Sequence, residues 1–175
     1  STLLHALTDA NPRIAAYPFT TLHPNLGVFL ASDFQRRVTL ADIPGLIEGA
    51  HEGVGLGHRF LRHIERTRIL VHLVAPESGV DEEGNMTLAH ADPETILYAY
   101  ELVRKELESY SEKLLMKPSV VCLNKIDLLK DGEAEIIAEL FEEKHGIRPL
   151  LISADKGQGL DDLKRRIEEV VLDAS

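Results

Sequence analysis

The chain has 175 residues, of which 44% are hydrophobic and 27% charged, a balance typical of one compact domain and not of a disordered segment. The formal net charge of −10 repels nucleic-acid backbones, so we expect no autonomous nucleic-acid binding by this domain. The single cysteine, Cys122, excludes a disulfide framework within the chain and lies inside an apolar run, so we expect it to pack in the core. No apolar run reaches the roughly 18 residues of a membrane span. We therefore expect a soluble, cytoplasmic protein.

Short apolar segments alternate along the chain with longer segments of helical period, which predicts an α/β architecture with a mostly parallel sheet flanked by helices. Strands are predicted at 27–30, 37–43, 69–75, 120–124 and 150–153. Helices are predicted at 1–7, 58–66, 93–115, 133–145 and 160–172. The helical pattern begins at the first residues, so we expect a further strand upstream and interpret residues 1–175 as a single domain truncated at its amino end.

Two segments carry more specific expectations. In the helix predicted at 93–115, the apolar residues that recur at three- and four-residue steps form one stripe facing the sheet: Ile96, Leu97, Tyr100, Val103 and Leu107. The segment 77–91 is acidic and contains two glycines, which predicts an exposed loop.

Three polar residues stand where the apolar run 120–123 ends: Asn124, Lys125 and Asp127. Side chains at the carboxyl end of a buried parallel strand project into the crevice where open α/β sheets bind ligands. One aspartate can accept hydrogen bonds from both the ring N–H and the exocyclic amine of guanine, a donor pair that adenine lacks. Asp127 would then select guanine, Asn124 would hold the loop, and the stem of Lys125 would lie across the base. The alternative is a solvated turn after a strand.

A second motif, Asp42-Ile43-Pro44-Gly45, follows the strand predicted at 37–43. A carboxylate such as Asp42 suits a magnesium ion held through water, and the backbone N–H of Gly45 can approach a terminal phosphate closely. By itself this pattern is more often an ordinary turn.

Two further segments complete the set of nucleotide-binding candidates. After the last predicted strand, Ser153-Ala154-Asp155 includes small residues that would let a backbone N–H reach the guanine carbonyl oxygen. Near the amino end, the hydroxyl of Thr21 could bind magnesium when the terminal phosphate is present, and so report the state of the nucleotide. The alternatives are a plain turn and a loop with packed aromatic residues.

Together these motifs resemble the guanine-nucleotide-binding domain of the Obg family of GTPases, a P-loop NTPase-type fold. The segments that carry the resemblance are YPFTTLHPNLG (17–27), DIPGLIEGAHEGVGLGHRFLRHIERT (42–67) and NKID (124–127). The resemblance implies that Ser1 and Thr21 ligate Mg²⁺, that Asp42 supports it through water, and that Thr21 and Gly45 serve catalysis. The nucleotide-binding residues that it implies are Ser1, Thr2, Phe19, Thr20, Thr21, Leu22, His23, Asp42, Ile43, Pro44, Gly45, Asn124, Lys125, Ile126, Asp127, Ser153, Ala154 and Asp155.

The chain departs from the family pattern in two places. The opening Ser1-Thr2 looks like the tail of the family's phosphate-binding loop, whose glycine-rich turn and lysine are not in the chain, so we expect these residues alone to bind nucleotide poorly. Leu46 follows Gly45, where small signalling GTPases carry a glutamine that orients the attacking water. An apolar side chain cannot orient water, which predicts slow GTP hydrolysis unless a partner or a monovalent cation assists.

The resemblance leaves two functions open. One is a switch that hydrolyses GTP to GDP and phosphate and acts on the maturing large ribosomal subunit and in stress and growth control. The other is a binding module that senses guanine nucleotides, with incidental hydrolysis. An ATP-using relative is disfavoured because adenine would leave Asp127 without partners.

Overall fold

The computed structural model describes residues 2–8, 13–14, 25–42 and 64–173. Its helices are α1 (Thr2–Leu7), α2 (Pro93–Tyr110), α3 (Glu112–Leu115), α4 (Glu133–His145) and α5 (Leu160–Asp173), with a 3-10 turn at Ile126–Leu128. Its strands are β1 (Arg13–Ile14), β2 (Asn25–Leu30), β3 (Arg37–Asp42), β4 (Leu70–Val74), β5 (Glu77–Val80), β6 (Met86–His90), β7 (Ser119–Leu123) and β8 (Leu150–Leu151). No described helix is both long and apolar enough to cross a bilayer.

The described strands form two three-stranded sheets and one hairpin. Strands β4, β7 and β8 lie side by side in parallel, with β7 in the centre, as the strand and helix alternation predicts. Strands β1, β2 and β3 form an antiparallel sheet, because only six residues, 31–36, join β2 to β3 and so short a link can only make a hairpin. All five predicted strands are present within a few residues of their predicted ends, residue 43 lying outside the described part.

Strand β7 is buried on both faces, which makes the domain three-layered. Val121 and Leu123 pack with residues of α2 and α4, such as Leu97 and Phe141. The alternate residues of β7 pack on the other side, in the cluster formed by Leu7, Phe29, Val120, Cys122, Ile152, Leu160, Leu163 and Ile167. Since side chains of a strand alternate between its two faces, one short apolar run supplies both cores.

Helix α5 also reaches the antiparallel sheet through polar contacts. The carboxylate of Glu168 accepts hydrogen bonds from the backbone N–H of Ser32 at 2.9 Å and from its hydroxyl at 2.7 Å. Ser32 lies in the turn between β2 and β3, so these two hydrogen bonds connect that turn to the helix that covers the parallel sheet.

The apolar stripe of α2 is confirmed, but the predicted length of the helix is wrong. All five predicted stripe residues are buried. The helix ends at Tyr110, because Ser111 has φ −165° and ψ 123°, an extended conformation, and α3 begins after it. The backbone N–H of Ser111 still donates to the carbonyl of Leu107 at 3.0 Å, so one serine ends the first helix and precedes the second. Of the helix predicted at 58–66, residues 58–63 lie outside the described part, and Ile64 and Glu65 are helical.

The predicted loop at 77–91 is also wrong, because this segment forms the β5–β6 hairpin. Its turn is closed by Asp81, whose carboxylate accepts the backbone N–H groups of Glu83 at 3.0 Å and Asn85 at 2.7 Å. Gly84 supplies the positive φ of +84° that the turn requires. Acidity and glycine content pointed to a loop, but most of the acidic residues and one of the two glycines lie in the five-residue connection 81–85, and the flanking residues pair as strands.

Candidate functional site

The carboxyl ends of β7 and β8 lie together at one edge of the parallel sheet. Cys122 pairs with Leu150 and Leu123 with Leu151, so Asn124 and Ile152 leave the sheet side by side. The chain does not diverge there, because the backbone N–H of Ile126 donates to the carbonyl of Ile152 at 3.2 Å. Two segments that are far apart in sequence thus form one rim.

Two side-chain hydrogen bonds join the predicted guanine-binding residues across this rim. The side-chain oxygen Oδ1 of Asn124 accepts the backbone N–H of Ala154 at 3.0 Å. The hydroxyl of Ser153, which is fully buried, donates to Oδ1 of Asp127 at 2.6 Å. Within the described part of the chain, this is the only hydrogen bond to the Asp127 carboxylate, and it leaves Oδ2 available to a ligand.

Lys125 has an unusual backbone conformation between these residues. Its φ of 63° and ψ of 32° lie in the left-handed region, which costs a non-glycine residue on the order of 1 kcal/mol or more. The turn points its side chain towards the β5–β6 hairpin, where Nζ donates to the hydroxyl of Ser78 at 2.9 Å. Local strain held by surrounding contacts is typical of functional sites.

The loop from β8 to α5, which forms one side of the rim, is held by internal hydrogen bonds and close packing. Ser153 and Gln158 form an isolated antiparallel bridge, with reciprocal N–H to carbonyl bonds of 3.0 Å. Gly159 has φ +70°, and a Cβ at this position would stand 2.3 Å from the carbonyl oxygen of Leu151. Only glycine fits, which fixes the course of the loop that carries Ser153 and Ala154.

The structure brings together one part of the predicted site. Asn124, Lys125, Ile126, Asp127, Ser153, Ala154 and Asp155 lie at the rim described above. Thr2 is exposed at the start of α1, and Asp42 is half-buried at the end of β3. The other predicted residues lie outside the described part: Ser1, Phe19, Thr20, Thr21, Leu22, His23, Ile43, Pro44 and Gly45.

Sequence reasoning missed two residues of the rim. The hydroxyl of Ser78 contacts Lys125, but its segment was interpreted as a loop. Gly159 could have been found from the pair Gly157 and Gly159, because closely spaced glycines after a short strand often mark a tight turn.

No group of three or more histidine, cysteine, aspartate or glutamate residues in the described part could hold a metal ion. The hydroxyls of Ser1 and Thr21 and the carboxylate of Asp42 are oxygen ligands of the kind that Mg²⁺ prefers, and only Asp42 lies in the described part.

Cys122 has no exposed surface, and burial raises the pKa of its thiol to about 12. This confirms the expectation that the cysteine packs in the core.

Comparison with known proteins decides the family. The model of the family described as "50S ribosome-binding GTPase" matches residues 1–125. This chain belongs to that family. It is an Obg-type G domain, 45% identical over 174 residues to the GTPase Obg of Aquifex aeolicus (strain VF5). The matched region covers 97% of this chain and 47% of that protein, so the chain spans about half the length of its Obg relative.

Solved structures of lower identity show the same fold. The G domain of the T. maritima FeoB iron transporter matches with a TM-score of 0.62 at 22% identity, over 97% of this chain and 89% of that one. The cytosolic domain of L. pneumophila FeoB matches with a TM-score of 0.61 at 21% identity, over 97% of this chain and 62% of that one. The predicted α/β P-loop GTPase fold, with a parallel sheet and flanking helices, is therefore confirmed.

Proposed function

We propose that residues 1–175 form a single guanine-nucleotide-binding domain of a slow GTPase that acts as a switch in assembly of the large ribosomal subunit and in stress and growth control. The observation that carries this proposal is a pair of hydrogen bonds: the backbone N–H of Ala154 donates to Asn124, and the hydroxyl of Ser153 donates to Asp127. They hold a carboxylate and backbone N–H groups at one rim, which is what recognition of a guanine edge needs. Family membership supports the ribosomal role, and the single cysteine agrees with a cytoplasmic location.

Asp127 is the residue that selects guanine in this proposal. Its carboxylate accepts the ring N–H and the exocyclic amine of the base, while Asn124 keeps the neighbouring loop in place and Lys125 covers the ring. An analogue without the matching donors leaves the charge unpaired, and such sites discriminate by roughly 10⁴-fold or more. ATP is then rejected by the same carboxylate that binds GTP.

The remaining predicted residues serve the phosphates. Ser1 and Thr21 would ligate Mg²⁺ directly and Asp42 through water, and the bound ion would neutralise charge on the phosphate oxygens. The backbone N–H of Gly45 is proposed to contact the terminal phosphate, and Phe19, Thr20, Leu22 and His23 to line the same region. The glycine-rich turn and lysine of the family would come from a segment outside these residues.

Affinity measurements on the intact protein test the proposed base recognition. Asp127→Ala removes two charge-assisted hydrogen bonds to guanine and is expected to weaken GDP binding by about 100-fold or more, with little change for ATP. Asp131→Ala removes an exposed carboxylate a few residues away and is the matched control, with GDP affinity within about twofold of the parent. Calorimetry that found equal affinities for GTP and ATP, or unchanged discrimination in Asp127→Ala, would contradict the proposal.

Slow hydrolysis follows from Leu46, which cannot orient a water molecule. Single-turnover assays on the intact protein should give a rate on the order of 10⁻³ per second or below without a partner or a monovalent cation. Partner-free turnover near 1 per second would contradict this part of the proposal.

A second experiment separates a switch from a nucleotide sensor. Hydrolysis is blocked while GTP binding is kept, and the assembly factors on the ribosomal precursor are measured. Retention of these factors supports the switch, and their normal release supports the sensor.

A further inference from the structure

The β5–β6 hairpin contacts the proposed guanine site through the side chain of Ser78. After β4 ends at Val74, the backbone N–H of Asn124 donates to the Val74 carbonyl at 2.8 Å, so the segment that leads to the hairpin begins beside the guanine motif. Pro76 is fully buried, which fixes this connection. Ser78 then lies within hydrogen-bonding distance of Lys125, at 2.9 Å between Oγ and Nζ.

The pairing of the hairpin is irregular at the point of contact. Glu77 pairs with His90, but Ser78 pairs with Leu88, so Ala89 is an extra residue on β6. A bulge of this kind bends the ladder and changes the direction of nearby side chains. The other end of the hairpin is regular and closed by the Asp81 turn, which leaves the irregularity beside Ser78.

The two partners are constrained from both sides. Lys125 is held in a left-handed conformation, and both Lys125 and Ser78 are half-buried. A hydroxyl is a neutral acceptor, so it fixes the position of the ammonium group without cancelling its charge. The ammonium group has three N–H donors. One donates to Ser78, and the other two can donate to other acceptors. The stem of Lys125 thus keeps one position, although a free lysine would occupy many rotamers.

We propose that Ser78 is a positioning residue that holds Lys125 over the guanine base, and that the β5–β6 hairpin thereby contributes to the lifetime of the bound nucleotide. The inference rests on the proposed function of Asn124 to Asp127. Ser78 itself does not touch the nucleotide. Its effect passes through the lysine, whose ordered stem need not be immobilised again when the base binds.

Nucleotide release from the intact protein tests the inference. Ser78→Ala is expected to speed GDP dissociation about fivefold, the equivalent of roughly 1 kcal/mol of lost hydrogen-bond free energy. Ser78→Thr keeps the hydroxyl and should stay within about twofold of the parent. Thr87→Ala, which removes an exposed hydroxyl from the opposite strand of the same hairpin, is the matched control and should also stay within about twofold.

A double-mutant cycle shows whether the effect passes through the lysine. In a Lys125→Met background, Ser78→Ala should cause no further acceleration of GDP release. An undiminished Ser78→Ala effect in that background, or Ser78→Ala behaving like Thr87→Ala, would overturn the inference. The melting temperature of each variant should stay within about 3 °C of the parent, which excludes general unfolding of the hairpin.

The contact can also be measured without nucleotide. Competitive acetylation with peptide mass spectrometry should show that the Lys125 amine reacts a few times faster in Ser78→Ala than in Thr87→Ala. Equal reactivity would overturn the contact itself. If Asp127→Ala abolishes guanine preference while Ser78→Ala leaves the rate of GDP release unchanged, only this inference fails. If Asp127→Ala leaves guanine preference intact, the proposed function fails whatever Ser78 does.

Discussion

At the scale of single residues, Ser153 connects the two loops of the candidate site with one hydroxyl. Its Oγ donates to Asp127 at 2.6 Å and accepts the backbone N–H of Lys156 at 3.1 Å. The sequence suggested a small residue at this position, to let the backbone approach the base. The structure adds that the hydroxyl orients the carboxylate, which no sequence pattern indicates because the two residues are 26 positions apart.

Replacement of this hydroxyl should affect both stability and recognition. Ser153→Ala leaves a half-buried carboxylate and a backbone N–H without their partner, so we expect the free energy of unfolding to fall by roughly 1–3 kcal/mol. The GDP affinity of the intact protein should fall as well, because Asp127 is no longer held in one orientation. Urea unfolding and calorimetry measure the two effects. Unchanged GDP affinity in a folded Ser153→Ala variant would contradict this role.

At the scale of elements, the loop from β8 to α5 shows why the local sequence could not predict the geometry of the candidate site. The pattern predicted a strand at 150–153, but the strand is Leu150–Leu151, and Ser153 instead bridges to Gln158 within its own loop. The parallel partner of β8 is β7, more than 25 residues earlier, so the length of β8 depends on where the two strands stop pairing. The hydrophobic periodicity of the sequence does not show where this pairing ends.

Two glycines of this loop provide a matched pair of substitutions. Both have positive φ, +71° at Gly157 and +70° at Gly159, but a Cβ at Gly157 would meet nothing within 4 Å. Gly157→Ala should therefore cost only the backbone strain, on the order of 1 kcal/mol. Gly159→Ala adds a clash with the Leu151 carbonyl and should cost roughly 3 kcal/mol or more.

Urea unfolding of both variants measures this difference, and GDP binding by the intact protein extends it to the site. Only Gly159→Ala is expected to displace the loop that carries Ser153 and Ala154. Equal destabilisation by the two substitutions would show that the close contact at Gly159 can relax.

At the scale of the whole molecule, one strand organises both cores. The alternate side chains of β7 pack with α2 and α4 on one face and with α1, β2 and α5 on the other. The contact of His72 with Tyr100 belongs to the first face, with ring centroids 4.8 Å apart. Burial, helped by the positive charge of Arg104, lowers the pKa of His72 from 6.5 to about 4.

This shift predicts a pH dependence of stability. The unfolded chain binds a proton at His72 more tightly than the folded one, so stability falls as the pH drops from about 6.5 to about 4 and levels off below. Between pH 7 and pH 5 the loss should be about 2 kcal/mol. The lowered pKa values of Asp33 and Asp81 act below their ordinary 3.8, outside this interval.

Urea unfolding at pH 7 and pH 5 measures the effect. His72→Phe keeps an aromatic ring at this position and removes the titrating imidazole, so most of the loss of stability between pH 7 and pH 5 should disappear. His5→Gln, at an exposed position of α1, is the matched control and should leave the loss in place. The same loss in His72→Phe would show that another group is responsible.

The sequence by itself determined the α/β alternation, the buried stripe of α2, the burial of Cys122 and the order of the nucleotide-binding motifs. These follow from local rules, because side chains repeat every 3.6 residues on a helix and every two on a strand. Only the tertiary structure decided which loops meet: Asn124 with Ala154, Asp127 with Ser153, and Lys125 with Ser78. Such contacts depend on strand pairing between distant segments, and a one-residue change of register would abolish them while leaving every local pattern intact.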